Sequence, residues 1–147
     1  MKINFKILKN IVVISTFVFF SFILLQISLY KFFWLDELTS IWFSNSSISE
    51  TLTKMQARND PHPPGFQIIL SIILNLFNTE NFVVPRILSI TSGLLAYLFG
   101  VLYAYKLNKK YFFQLFILFT FSFWISKDQI YYSTEVRSYQ LTVFLVA

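Results

Sequence analysis

A chain of 147 residues that is 56% hydrophobic, 20% aromatic and only 13% charged is composed for lipid rather than water, since soluble domains carry about 25% charged residues. The absence of cysteine excludes disulfide scaffolds, thiolate metal centres and cysteine nucleophiles, and nineteen Phe against three Gly and four Pro exclude a disordered or collagen-like chain. The net charge of +5 contains two acid-free lysine clusters, Lys2, Lys6 and Lys9, then Lys106, Lys109 and Lys110, a pattern that marks cytoplasmic membrane ends rather than a nucleic-acid surface.

Residues 11–30 form a run of apolar and hydroxyl residues broken only by Gln26, and its length suits the roughly 20 residues a spanning helix needs. The run exceeds the roughly 7 to 15 residues of a signal-peptide core, and no A-x-A-like site follows it, so it reads as a retained first transmembrane helix. Tyr30, Phe32, Phe33 and Trp34 then make an aromatic belt of the kind found at membrane surfaces. Residues 31–84 read as an outer loop. Within it, Ser47 and Glu50 have capping-box spacing, with Ile48, Leu52 and Met55 on one helical face and Glu50, Lys54 and Arg58 on another. This predicts a short amphipathic helix, either lying on the bilayer or packed on protein. The NDPHPPG stretch at 59–65 interrupts regular structure. Residues 65–77 then predict a helix too short to span, membrane-embedded within the outer loop, with a polar stripe of Gln67, Ser71, Asn75 and Asn78.

Residues 85–105 are the second full-length span, opened by Pro85 and carrying a stripe of small residues, Ser89, Gly93, Ala96 and Gly100, suited to close helix packing. Residues 111–126 predict a shorter, Phe-rich third span, and residues 138–147 the start of a fourth, truncated by the end of the chain. If both lysine clusters are cytoplasmic, an even number of spans separates them, which 11–30 and 85–105 supply. The polar segments 31–84 and 127–137 then face one outer compartment. The expected fold is a single all-α integral membrane domain, a multi-span helical bundle with a cytoplasmic N-terminus. Richness in Ile, Phe, Lys and Asn suggests an AT-rich bacterial genome, and hence the plasma (inner) membrane.

Four clusters carry chemistry. Asp36 and Glu37 are adjacent carboxylates just beyond the first span, where each raises the other's proton affinity and one can serve as a base; such a pair is also common as a solvated helix start. His62, the single histidine, sits in a proline-rigid turn, either as a functional group or as a surface residue. Arg86, at the outer end of a span, suits a phosphate or snorkels to headgroups. In 131–139, Glu135 and Arg137 precede a span, and a guanidinium there matches lipid phosphate. No dedicated metal site is spaced among these residues, and a divalent cation is left open.

Together Trp34-Leu35-Asp36-Glu37, His62-Pro63-Pro64-Gly65, Arg86-Ile87-Leu88-Ser89 and Tyr132-Ser133-Thr134-Glu135-Val136-Arg137-Ser138-Tyr139 resemble, in order, motifs of the GT-C glycosyltransferases of the protein-mannosyltransferase and aminoarabinose-transferase type. The resemblance implies an inverting membrane enzyme that moves a sugar from a polyprenyl-phosphate donor to a glycan, lipid or protein acceptor on the outer face. It implies Asp36 as general base, supported by Glu37, and His62, Arg86, Glu135, Arg137 and Tyr139 as substrate or lipid-phosphate contacts. Family members are much longer, so the resemblance also implies an N-terminal part that is inactive alone. The competing classes are a transporter segment, which should carry charges inside its spans, and a non-catalytic anchor or assembly subunit. Membrane lipid is an expected partner and nucleic acid is not.

Overall fold

The computed structural model describes residues 5–60, 64–77 and 83–146. Among these the secondary structure is helical, with no strand: α1 (Phe5–Tyr30), α2 (Leu35–Ser44), α3 (Ile48–Ala57), α4 (Pro64–Phe77), a 3-10 turn (Val84–Arg86) leading into α5 (Ile87–Leu107), α6 (Phe112–Trp124), α7 (Lys127–Ser133) and α8 (Tyr139–Val146). Two segments are long and apolar enough to cross a membrane, Ile7–Tyr30 and Val84–Leu107. They coincide with the two full-length spans expected from the sequence, the first reaching further toward the N-terminus. The third and fourth expected spans are shorter here. At 1.5 Å per residue, the 13 residues of α6 rise about 20 Å and the 8 of α8 about 12 Å, against roughly 30 Å of hydrocarbon.

The central helix is α5, which packs against α1, α6, α7 and α8. Its stripe of small residues explains how it meets so many neighbours. A Cβ built on Gly93 would stand 2.6 Å from Ser133 Oγ and 3.0 Å from Gln140 Nε2, and one on Gly100 would collide with the Phe119 ring. The Ser89 hydroxyl donates to the Arg137 carbonyl at 3.3 Å. On the inner side Leu24, Ile90, Tyr97, Val101, Phe116 and Trp124 form a buried apolar cluster. Phe20 stacks on Trp124 with centroids 4.4 Å apart, and the Tyr97 and Thr120 hydroxyls share a 2.7 Å hydrogen bond. By contrast α1 leaves Ile7, Ile11, Ile14, Val18, Phe22 and Leu29 exposed, a face without protein cover.

The helices of the expected outer loop fold onto one another. The Ser47–Glu50 capping box forms as the spacing predicts, with Ser47 N–H donating to Glu50 Oε2 at 3.2 Å and Glu50 N–H to Ser47 Oγ at 3.4 Å. Thr51 and Met55 of α3 are buried and the helix packs on α4 and α2, so its inner face meets protein. The polar stripe of α4 faces the α2–α3 turn: Gln67 accepts from Ser44 Oγ at 2.6 Å, while Ser71 and Asn75 donate to the Ser46 carbonyl at 2.6 and 3.1 Å. The fourth stripe residue, Asn78, lies outside the described residues. Asn59 ends α3 in the left-handed region, φ 49°. With Asn59 N–H donating to Gln56 O and Asp60 N–H to Met55 O, both at 3.1 Å, the end is a Schellman motif, in which Asn is one of few tolerated non-glycine residues.

Replacing Gly93 by Ala forces its methyl into Ser133 and Gln140, and overpacking of this kind costs about 1–3 kcal/mol. The expected outcome is a lower unfolding temperature in detergent; a midpoint equal to wild type means that α5, α7 and α8 are not in close contact.

Candidate functional site

The aromatic belt ends in an extended Trp34 (φ −101°, ψ 171°), after which α2 begins with Asp36 and Glu37 in its first turn, where the helix dipole favours carboxylates. Successive helical residues diverge by about 100°. The two adjacent acids therefore cannot share one proton site, and they part to different partners: Glu37 turns into the protein and Asp36 toward a cavity.

Glu37 and Arg86 are both fully buried and meet fork to fork, Nε to Oε1 and Nη2 to Oε2, each at 3.0 Å. The remaining guanidinium donors go to backbone: Nη1 to the Ser28 and Lys31 carbonyls at 2.8 and 2.6 Å, Nη2 to the Phe32 carbonyl at 3.3 Å. All five N–H donors of the side chain are thereby engaged. Glu37 accepts two further bonds, from Val136 N–H at 3.0 Å and Trp34 N–H at 3.4 Å. The Phe33 ring lies 4.4 Å from the Arg86 guanidinium carbon. Arg86 therefore has no donor left for a lipid phosphate, and Glu37 has no face left toward a substrate. The expected phosphate contact of Arg86 is corrected to an internal one, and Glu37, expected to support Asp36 as a catalytic group, is buried in the same pair, because a buried charge is tolerated only with a partner and with its hydrogen bonds satisfied.

Asp36 is different. Its side chain is 44% exposed and pairs with the Arg137 guanidinium, which is 14% exposed. The pair lines a cavity of about 260 Å³ together with Thr39, Ser40, Arg58 and Asp60. Arg137 Nε is buried with no hydrogen-bond partner, so its guanidinium, unlike that of Arg86, retains donor capacity. The Arg137 backbone is held by the Ser89 hydroxyl on one side, and its neighbour Val136 is held by Glu37. The buried pair thus fixes both partners of the cavity pair, Asp36 through α2 and Arg137 through residue 136.

Beside this cavity, Glu135 is buried and bonded to Lys31 Nζ at 3.1 Å, which also lies 4.1 Å from the Tyr131 ring centroid. A hydrogen bond to the Glu135 carboxylate pushes the Tyr131 phenol up to about 12, so it stays protonated across the physiological range. Glu135 is paired with Lys31 through Oε1, while its buried Oε2 has no hydrogen-bond partner. Tyr139 opens α8 with its ring 4.7 Å from that of Tyr132 and is partly exposed. His62 lies outside the described residues. Among those described, no three His, Asp or Glu side chains converge as a metal site.

The sequence-based reading thus has two of its seven site residues, Asp36 and Arg137, meeting at an open cavity, and it missed Thr39, Arg58 and Asp60. Thr39 follows Asp36 by one helical turn, which is a legible signal. Arg58 and Asp60 flank the left-handed Asn59, and their arrival at the cavity depends on the packing of α3 on α2, which no spacing reveals. No protein-family model matches the chain, and neither a curated protein nor a solved structure does.

Replacing Arg86 by Met strands the Glu37 carboxylate and three backbone carbonyls, and breaking a buried pair in this way costs about 3–5 kcal/mol. Thermal unfolding in detergent should show a destabilised or unfolded protein; a midpoint within a degree or two of wild type would remove the pair from its central place.

Proposed function

We propose that the protein is a membrane sugar transferase, of the type whose motifs it resembles, that uses Asp36 as general base on the outer side of a multi-span bundle. The observation that carries this reading is the contrast between the two adjacent acids. Glu37 is sealed inside with Arg86, whereas Asp36 stands at a cavity rim against a guanidinium with an unused donor. A carboxylate in that position is available to a substrate hydroxyl, and Arg137 beside it suits a phosphate oxygen.

In the proposed step, the phosphate of a polyprenyl-phosphate sugar takes over the Arg137 guanidinium and releases Asp36. Asp36 accepts the proton of the acceptor hydroxyl as that oxygen attacks the anomeric carbon. The bond from the anomeric carbon to the phosphate oxygen breaks with inversion, and the electron pair leaves on the phosphate. Arg137 stabilises the charge that develops there. Both members of the pair then act as a unit, each held in place by the buried Glu37–Arg86 pair behind it. The uncharged interiors of the two long helices support this reading over a transporter segment. Between Ile11 and Tyr30, and between Ile87 and Tyr105, neither span carries an Asp, Glu, Lys or Arg.

Because the resemblance implies that this chain is inactive alone, the direct test uses membranes containing the full-length protein and a synthetic polyprenyl-phosphate sugar. Asp36→Asn should lower transfer by about 10²- to 10⁴-fold, with Arg137→Lys intermediate because a point charge replaces the fork. Transfer by Asp36→Asn at the wild-type rate excludes the base and leaves the anchor or assembly-subunit reading.

Sidedness is tested separately, since the chain has no native cysteine. Single cysteines at the exposed positions Gln56, Asn108 and Asp128 should react with an impermeant maleimide in intact cells at Gln56 and Asp128, and only after lysis at Asn108. Reaction of Asp128 only after lysis would place the two halves of the cavity on opposite sides of the membrane and end the proposal.

A further inference from the structure

The Asp36–Arg137 cavity has a neighbour along α2. A second cavity, also about 260 Å³, is walled by Leu38, Thr39, Trp42 and Arg58, and Thr39 and Arg58 line the first as well. Asp36, Thr39 and Trp42 follow one another at i, i+3, i+6 and so run up one side of α2. Arg58, at the C-terminal end of α3, stands against them from the helix packed on α2.

At the far end of this cleft Trp42 is 47% exposed. Two cations sit over its ring, Lys54 Nζ and the Arg58 guanidinium carbon, each 5.0 Å from the centroid. They are not equivalent. Lys54 is tied down, donating to the Trp42 carbonyl at 3.3 Å and to Ser46 Oγ at 3.1 Å. Arg58 is exposed, and among the described residues its side chain makes no ion pair or hydrogen bond, only the ring contact. An indole beside an unused guanidinium fork is a surface with two distinct demands. The indole needs a flat apolar partner, and the fork needs a carboxylate or phosphate that can accept two parallel bonds.

We propose that this second cavity is the acceptor subsite, and that it takes a pyranose ring bearing an acidic substituent. The C–H face of the ring packs on Trp42, the acidic group binds Arg58, and a ring hydroxyl points down the cleft toward Asp36. That the ligand is a sugar rests on the transferase reading; that it is flat, apolar on one face and anionic follows from Trp42 and Arg58. The Arg58 guanidinium is then a specificity-determining group, distinct from Arg137, which serves the donor phosphate.

The test uses the protein in phosphatidylcholine nanodiscs, with saturation-transfer NMR of glucuronate and of glucose. Glucuronate should bind more tightly than glucose, and Arg58→Ala should remove the difference, a loss of about tenfold or more for a charge-assisted bond. Arg58→Lys should retain part of it, and Trp42→Ala should weaken both sugars. Trp42→Phe, which keeps an aromatic face, guards against misfolding and should bind nearly as wild type does. Equal binding of the two sugars, or glucuronate binding indifferent to Arg58→Ala, overturns the subsite. So does an Arg58→Ala effect confined to the protein's preference for phosphatidylglycerol, which would make the cluster a headgroup anchor. The two readings fail separately: loss of transfer in Asp36→Asn stands whether or not glucuronate binds, and glucuronate binding stands whether or not Asp36 is a base.

Discussion

A guanidinium with no exposure to solvent must place five donors in fixed directions, and Arg86 places them on four residues. Its fork is matched by Glu37 at the start of α2, and its other donors reach the carbonyls at the end of α1 and in the belt that follows. Glu37 extends the same network to residue 136. The carbonyls at the end of α1 are those that a helix terminus leaves without intrahelical partners, so the arginine acts as the C-terminal cap of a helix in another part of the sequence. Charge burial of this kind adds little net stability against a well-packed apolar alternative, but loss of one partner is severe. Its effect is to define a single arrangement of four segments.

The arrangement at the cavity follows from that constraint. Asp36 is separated from Glu37 by one peptide bond and Arg137 from Val136 by one, so anchoring the inner residue of each couple sets the outer one at the cavity. Neighbouring contacts reinforce the same geometry, with Ser89 holding the Arg137 carbonyl and Lys31 holding Glu135. The close approach of α5 to α7 and α8 that permits these contacts exists because position 93 has no side chain. Packing, capping and charge pairing therefore converge on one spot at the ends of the two long helices.

Much of the helical plan was legible from the sequence. The two long apolar runs, the Ser47–Glu50 capping box, the stripe of small residues and the polar stripe of α4 all rest on local spacing, and each appears as helix geometry dictates. What the sequence did not disclose was pairing across distance. Glu37 and Arg86 are 49 positions apart, and nothing in either neighbourhood distinguishes a guanidinium destined for a carboxylate from one offered to phosphate. The same ambiguity hid the role of Glu135, whose partner lies 104 positions away. Asp36 and Glu37 looked like a coupled pair because sequence proximity ignores the rotation of the helix. Arg58 belongs to the polar face of α3 that its spacing predicts, and it reaches the cleft because α3 packs against α2, a contact that no local spacing reveals.

The separation between Glu37 and Arg86 also bears on biogenesis. As the chain emerges, Glu37 passes the exit of the ribosome well before Arg86, and during that interval its carboxylate has no guanidinium to meet. Until Arg86 is in place, the carbonyls of Ser28, Lys31 and Phe32 lack this donor and need hydration from water instead. Arrival of Arg86 exchanges that hydration for protein contacts in one step. The orientation of the segment carrying Asp36 therefore depends on a residue at the start of the second long helix.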